Sequence, residues 1–255
     1  MKVHHLDCGP MQPRVVGRLV CHVLLLETPA GLVLVDSGMG LQDVRDPSRL
    51  GPARGLLRVR LDERATALRQ VEALGFRADD VRHVVLTHLD LDHVGGIADF
   101  PDAVVHTTAE EHAAATAPPT RREAFRYRAV QWAHGPRWSA PEPGEPWHGL
   151  RALPLPGLDD AVALVPMPGH TRGHAAVAVD TGSGWLLHAG DAVFHRHSLD
   201  PSQPSGRTLR AYEKGLALDP GAVAANHARL RALQGEGVVV VPAHDPVVFD
   251  RLAAG

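Results

Sequence analysis

The chain has 255 residues, 44% of them hydrophobic, with 26 basic and 29 acidic side chains for a formal net charge of −3. That length buries a substantial core, and the slightly acidic balance gives no support to non-specific nucleic-acid binding, which needs a basic surface. No run approaches the length of a membrane span, and the start Met1-Lys2-Val3-His4-His5-Leu6-Asp7 lacks the apolar core of a signal peptide, so the expected location is cytoplasmic, without membrane contact. Cys8 and Cys21 form no metal-spaced pair and read as buried, idle thiols.

In chain order, residues 20–27 and 32–35 read as a strand hairpin, because Val and Leu runs flank the turn residues Pro29-Ala30-Gly31. Residues 63–74 read as an amphipathic helix ended by Gly75. Residues 81–87 and 103–107 read as strands, with a helix near 109–116. Between 118 and 156 the texture changes: Tyr127, Trp132, Trp138 and Trp147 gather there, and 136–146 is too rich in proline and glycine for a regular element. This stretch reads as an insertion, either a cap offering apolar contact to a substrate or a satellite cluster that anchors itself. Strands follow at 162–165, 175–179 and 185–187, an irregular segment at 194–207, a helix at 222–233, and a strand at 238–241 that reads as fully buried from its unbroken valines.

The chemistry concentrates in His88-Leu89-Asp90-Leu91-Asp92-His93, which follows the apolar run Val84-Val85-Leu86-Thr87. Imidazoles and carboxylates crowded together are costly unless a cation neutralises them, and they are ligands expected for zinc, iron or manganese. The alternative is a surface helix cap with Asp90 or Asp92 as the N-cap residue. Gly95-Gly96 allow the ligand loop to turn and pack closely. Further candidates stand at or after apolar runs: Pro168-Gly169-His170-Thr171-Arg172-Gly173-His174, then His188-Ala189-Gly190-Asp191, then Pro242-Ala243-His244-Asp245. Ligands drawn from distant strand ends onto one sheet edge are a common way to build a dinuclear site.

Together with Leu32-Val33-Leu34-Val35-Asp36-Ser37-Gly38, these segments resemble the metallo-β-lactamase fold hydrolases, in particular the lactonase-like and glyoxalase II-like branch. The resemblance implies an α/β (α+β) fold: a four-layer αββα sandwich of two mixed β-sheets flanked by helices, as one domain over 1–255 with a cap insertion near 118–156. It implies two divalent metal ions, zinc by default: one held by His88, Asp90 and His170, the other by Asp92, His93 and His244, with Asp191 bridging. Asp36 and His174 match positions that orient ligand imidazoles, a purely structural part for His174 being an equal alternative. His4, His5, His106, His112 and His148 match nothing in the pattern.

The family pattern is His-x-His-x-Asp-His, and here Asp90 replaces its second histidine. Two divalent ions would be balanced by Asp90, Asp92, Asp191 and a hydroxide, a neutral cluster that shifts preference toward iron or manganese. A resembling branch, the flavodiiron proteins, carries a glutamate there. The implied reaction is attack of a metal-bridging hydroxide on an ester-like carbonyl of a small molecule, most simply a lactone or other carboxylic ester, with Asp92 as the proton shuttle. An iron-dependent oxidoreductase and a thioester or phosphodiester hydrolase are the alternatives. Phe194 stands where some lactonase relatives have a tyrosine that donates to the carbonyl oxygen; Phe194 cannot, and His195 is a candidate replacement. Arg121, Arg122, Arg126 and Arg128 read as a solvated helix face or as a gate for anionic substrates. The apolar cap is equally a candidate homodimer surface.

Overall fold

A computed structural model describes residues 1–14, 16–141, 143–203 and 206–254, so parts of the segments 136–146 and 194–207 lie outside the described residues. The first sheet begins with β1 (Lys2–Asp7), β2 (His22–Thr28) and β3 (Gly31–Val35), a meander of antiparallel neighbours. β4 (Val81–Val85), β5 (Val104–His106) and β6 (Arg137–Ser139) continue it in parallel, in the order β1-β2-β3-β4-β5-β6. β7 (Glu145–Trp147), β8 (Leu150–Pro154), β9 (Val162–Pro166), β10 (Ala175–Asp180), β11 (Trp185–His188) and β12 (Val239–Val241) form the second sheet. Its strands are antiparallel except for the β11–β12 pair.

Period-two alternation explains the layering. In β2, Leu24 and Leu26 point between the sheets and meet Val162, Leu164, Val177 and Val179, while Val23 and Leu25 point outward. The nine helices among the described residues are α1 (Leu41–Arg45), α2 (Ala53–Leu57), α3 (Ala67–Ala73), α4 (Leu91–Val94), α5 (Ala109–Thr116), α6 (Arg121–Arg126), α7 (Arg207–Leu216), α8 (Pro220–Gly235) and α9 (Pro246–Ala253). α3 and α5 cover the outer face of the first sheet through Val71, Ala114 and Ala115, and α8 covers the second through Leu230 and Leu233. The result is the expected four-layer sandwich of two mixed sheets. No helix among the described residues is long and apolar enough to cross a membrane.

Three local expectations change. The helix expected over 63–74 is split: Glu63–Ala65 is a 3-10 turn, and Thr66, with extended backbone, caps α3 through its hydroxyl. The valine run at 238–241 is an edge strand bonded to β11 alone, which leaves Val239 46% exposed. Segment 136–146 contains β6 and the start of β7, with Pro146 tolerated on an edge strand. Of the two readings of the tryptophans, the packing fits the self-anchoring one: Trp132 and Trp138 pack against the core under the first sheet, and Trp147 meets Trp185 edge-on at 5.4 Å outside the second. Cys8 and Cys21 are buried free thiols, as expected.

Candidate metal centre and cavity

Five candidate segments begin at the C-terminal ends of β3, β4, β9, β11 and β12. Parallel pairing of β3 with β4 and of β11 with β12 carries those ends to one rim, where backbone leaving the sheets is free to turn. Asp36 follows β3 in a left-handed conformation, φ 59°, and Gly96 packs against the next residue so closely that a Cβ would lie 2.6 Å from the Ser37 carbonyl oxygen. Gly190, φ 50°, is similarly forced: a Cβ there would meet Thr87 Cβ at 2.8 Å. Both glycines permit the loops to close.

The rim brings together two groups of ligand atoms, one from His88, Asp90, His170 and Asp191 and one from Asp92, His93 and His244. Asp191 spans them. Its Oδ2 lies 3.1 Å from His170 Nε2 and 3.8 Å from His88 Nε2, while its Oδ1 lies 2.9 Å from His244 Nε2 and 3.4 Å from His93 Nε2. Asp92 Oδ2 stands 3.8 and 3.9 Å from His244 and His93 Nε2, and Asp90 Oδ2 lies 3.3 Å from His88 Nε2.

The far nitrogens of three imidazoles are fixed. His93 Nδ1 donates to Asp36 Oδ2 at 2.8 Å, His244 Nδ1 donates to the Val20 carbonyl at 2.7 Å, and His88 Nδ1 meets Thr87 Oγ1 at 3.0 Å. Thr87 Oγ1 in turn donates to Asp36, which also accepts from Thr87 N at 2.8 Å. With those tautomers the Nε2 lone pairs face inward. His88 Nε2, His93 Nε2 and Asp191 Oδ1 are buried without a hydrogen-bond partner, an arrangement that is costly unless cations take the lone pairs. The donor set therefore fits divalent metal ions.

Electrostatics agree. Burial opposes ionisation of Asp191, yet His244, His170 and His93 hold it well below the usual carboxylate range. Burial likewise opposes Asp36, and the His93 imidazole outweighs it, bringing Asp36 down to about 2. His174 does not orient an imidazole: its Nδ1 donates to the Met167 carbonyl, and its Nε2 accepts from Asp191 N at 2.9 Å. It holds the backbone that presents Asp191.

Asp90 occupies the N-cap position of α4 but makes no capping bond. Its carboxylate is instead gripped by Arg126, Nε to Oδ1 at 2.6 Å and the adjacent Nη2 to Oδ2 at 2.7 Å. The expectation of a solvated arginine face is thus corrected for Arg126, which is only 12% exposed, while Arg121 and Arg122 on the same helix are exposed as expected. Nη2 of Arg122 donates to the Gly215 and Ala217 carbonyls. The charge count made from sequence also changes, because Arg126 cancels the charge that Asp90 adds. Burial opposes ionisation of Asp90, but Arg126 and His88 hold it well below the usual range.

Beside the centre opens a cavity of about 330 Å³, floored by Asp90, Asp92, Asp191 and His244 and walled by Met11, Leu19, Leu56, Leu57 and Phe125. Phe194 lines it too, its ring 5.5 Å from His170 and 5.0 Å from His244. His195 is not among the lining residues; its Nδ1 meets His197 Nδ1 at 3.1 Å and its Nε2 lies 3.5 Å from Asp245. Tyr212, on α7, lines the cavity with a buried hydroxyl that has no hydrogen-bond partner. Burial, then the carboxylates of Asp92, Asp191 and Asp90, push its phenol up, so it stays a donor. Sequence reasoning missed Tyr212, Arg126's partner and the apolar wall. The amphipathic spacing of α7 was the one available signal for Tyr212.

The family model of the metallo-beta-lactamase superfamily matches residues 16–244. The chain is 51% identical over 254 residues to a probable metallo-hydrolase of Mycobacterium tuberculosis, covering 98% of this chain and 82% of that one. It is 29% identical over 243 residues to an N-acyl homoserine lactonase of Rhizobium johnstonii, covering 88% and 81%. Among solved structures, an N-acyl homoserine lactone hydrolase with N-hexanoyl-L-homoserine bound at its catalytic metal centre superposes with a TM-score of 0.73 at 20% identity, covering 96% and 93%.

Proposed function

This chain is an enzyme of the metallo-beta-lactamase superfamily, and on that premise we propose that it hydrolyses a carboxylic ester, in the first instance a lactone, carrying an apolar group. The observation that carries the reading is Asp191, whose two oxygens face two separate ligand groups at the floor of an apolar cavity. The lactonase named among the relatives supports a lactone as the ester to try first. His88, Asp90, His170 and Asp191 would hold one divalent ion, and Asp92, His93, His244 and Asp191 the other. When bound, such ions supply Lewis acidity toward a carbonyl and water that is nucleophilic near neutral pH.

The chain's own groups do the rest. Met11, Leu19 and Phe125 exclude water and take up the apolar part of the substrate, which sets the ester bond over the floor. Phe194 covers the rings of His170 and His244 and keeps that boundary dry. The Tyr212 hydroxyl, lacking any partner of its own, donates to the substrate oxygen as negative charge develops there. The Asp92 carboxylate, lining the same cavity, receives the proton that the attacking water gives up and passes it to the departing alkoxide. The negative charge of Asp90 does not by itself argue for iron, since Arg126 neutralises it.

The test is a panel of an N-acyl lactone, a simple lactone, an aryl ester, a thioester and a phosphodiester, offered to protein loaded with zinc, manganese or iron(II). Turnover of lactones or esters above the other classes supports the reading. Preference for the phosphodiester or thioester, or silence on all five, overturns it.

A further inference from the structure

Asp90 and Arg126 are joined more completely than a surface ion pair. Both oxygens of the carboxylate are taken by one edge of the guanidinium, Nε and Nη2, at 2.6 and 2.7 Å. The third nitrogen, Nη1, donates to the Leu216 carbonyl at 2.8 Å and to the His170 carbonyl at 3.2 Å. Arg126 therefore has no donor edge left for a substrate anion, which removes the gate reading for this residue. The same guanidinium touches His170 Nε2, and Asp90 Oδ2 lies 3.0 Å from that nitrogen.

Around this pair α6 is lashed down on two further sides. Nη2 of Arg122 reaches the carbonyls at the end of α7, and Arg172, two residues after His170, grips Glu123 at 3.0 and 3.2 Å. A carboxylate and a guanidinium each largely withdrawn from water are costly when unpaired, so neither side chain is tolerable without the other. Their sum is neutral, like an imidazole.

We infer that Asp90 and Arg126 act as one unit, a guanidinium-locked carboxylate that stands toward the His88–His170 metal position as a single neutral, rigid ligand. Arg126 is a positioning residue here. It orients Asp90 Oδ2 toward His88 and His170 before any ion arrives, and its charge leaves the centre with the balance a histidine at position 90 would give. The inference rests on the proposed metal centre.

The test is a double-mutant cycle of Asp90→His, Arg126→Gln and the double variant. It is read as zinc and manganese stoichiometry by competition with a chromophoric chelator, and as the thermal midpoint of the metal-free protein. Asp90→His alone strands the guanidinium and should lose at least about tenfold in affinity for one of two ions. Each single variant should lower the metal-free midpoint, and the double should recover about half or more of the summed loss, because the two residues are directly coupled. Arg126→Lys, which keeps charge without the fork, provides a folded comparison and should fall between wild type and Arg126→Gln. Additive losses, or Asp90→His binding both ions like wild type, overturns the inference. Wild-type protein that takes up no divalent ion instead overturns the hydrolase reading, and so the two failures are separable.

Discussion

Asp36→Asn removes one charge from beneath the proposed metal centre while changing almost no volume. Asparagine tolerates the left-handed backbone that Asp36 adopts at φ 59°, so the effect will not come from strain. Asp36 accepts from Thr87 N, Thr87 Oγ1 and His93 Nδ1. An amide has one acceptor oxygen, so its NH2 must face either the Nδ1–H of His93 or the N–H of Thr87. Facing His93, it drives the ring to the other tautomer and turns an N–H toward the centre. A charge-assisted hydrogen bond contributes about 1.5–3 kcal/mol, and losing the outer partner of a ligating imidazole costs about 10–100-fold in metal affinity, or about 1.4–2.8 kcal/mol. The two estimates agree. We expect zinc affinity at the His93–His244 position to fall by about 10–100-fold and to fall less at the His88–His170 position, which Asp36 reaches only through Thr87, measured by chelator competition. Unchanged affinity at both positions would refute the argument that Asp36 sets the His93 tautomer.

Three further outcomes follow from the same geometry. Tyr212→Phe should lower kcat for lactone opening by about 10²-fold, the scale of one oxyanion donor, with metal content unchanged; a fall confined to KM would remove Tyr212 from the chemistry. Phe125, 70% exposed in the free protein, should become covered by substrate, so Phe125→Ala should raise KM for long-chain esters by about tenfold and leave short-chain esters alone; an equal effect on both would place the apolar group elsewhere. Burial lowers His106, stacked on His83, from 6.5 to about 4. Its folded value lies below its unfolded value, so the stability it contributes is present above 6.5 and is lost as pH falls toward 4. His106→Asn should therefore flatten the decline of the thermal midpoint across that window, and an identical slope would show that other groups dominate.

Much of this candidate centre is legible in the chain because its proposed ligands sit directly after strands, and an apolar run followed by His, Asp and Gly is a local signal. His88 to His93 fall in one turn after β4, and Asp191 and His244 follow β11 and β12 by a few residues. The pairing of Asp90 with Arg126 is not local: it joins α4 to α6 across 36 residues, and the helical spacing of Arg122 and Arg126 suggests a wet face. The tryptophans announce apolar surface but not its direction, which β6 and β7 decide by joining opposite sheets. The cavity wall is illegible for a related reason. Met11, Leu19, Leu56 and Leu57 lie in short or irregular segments without periodicity, and only the rim of the sandwich brings them together.

The most direct measurement is a titration of metal-free protein with zinc while lactone ring opening is followed in the same sample, for wild type and for Asp191→Ala. The account predicts that turnover rises with added metal to a plateau at two equivalents and is absent at every metal level in Asp191→Ala. Ring opening by the metal-free protein, or full turnover in fully loaded Asp191→Ala, would contradict it.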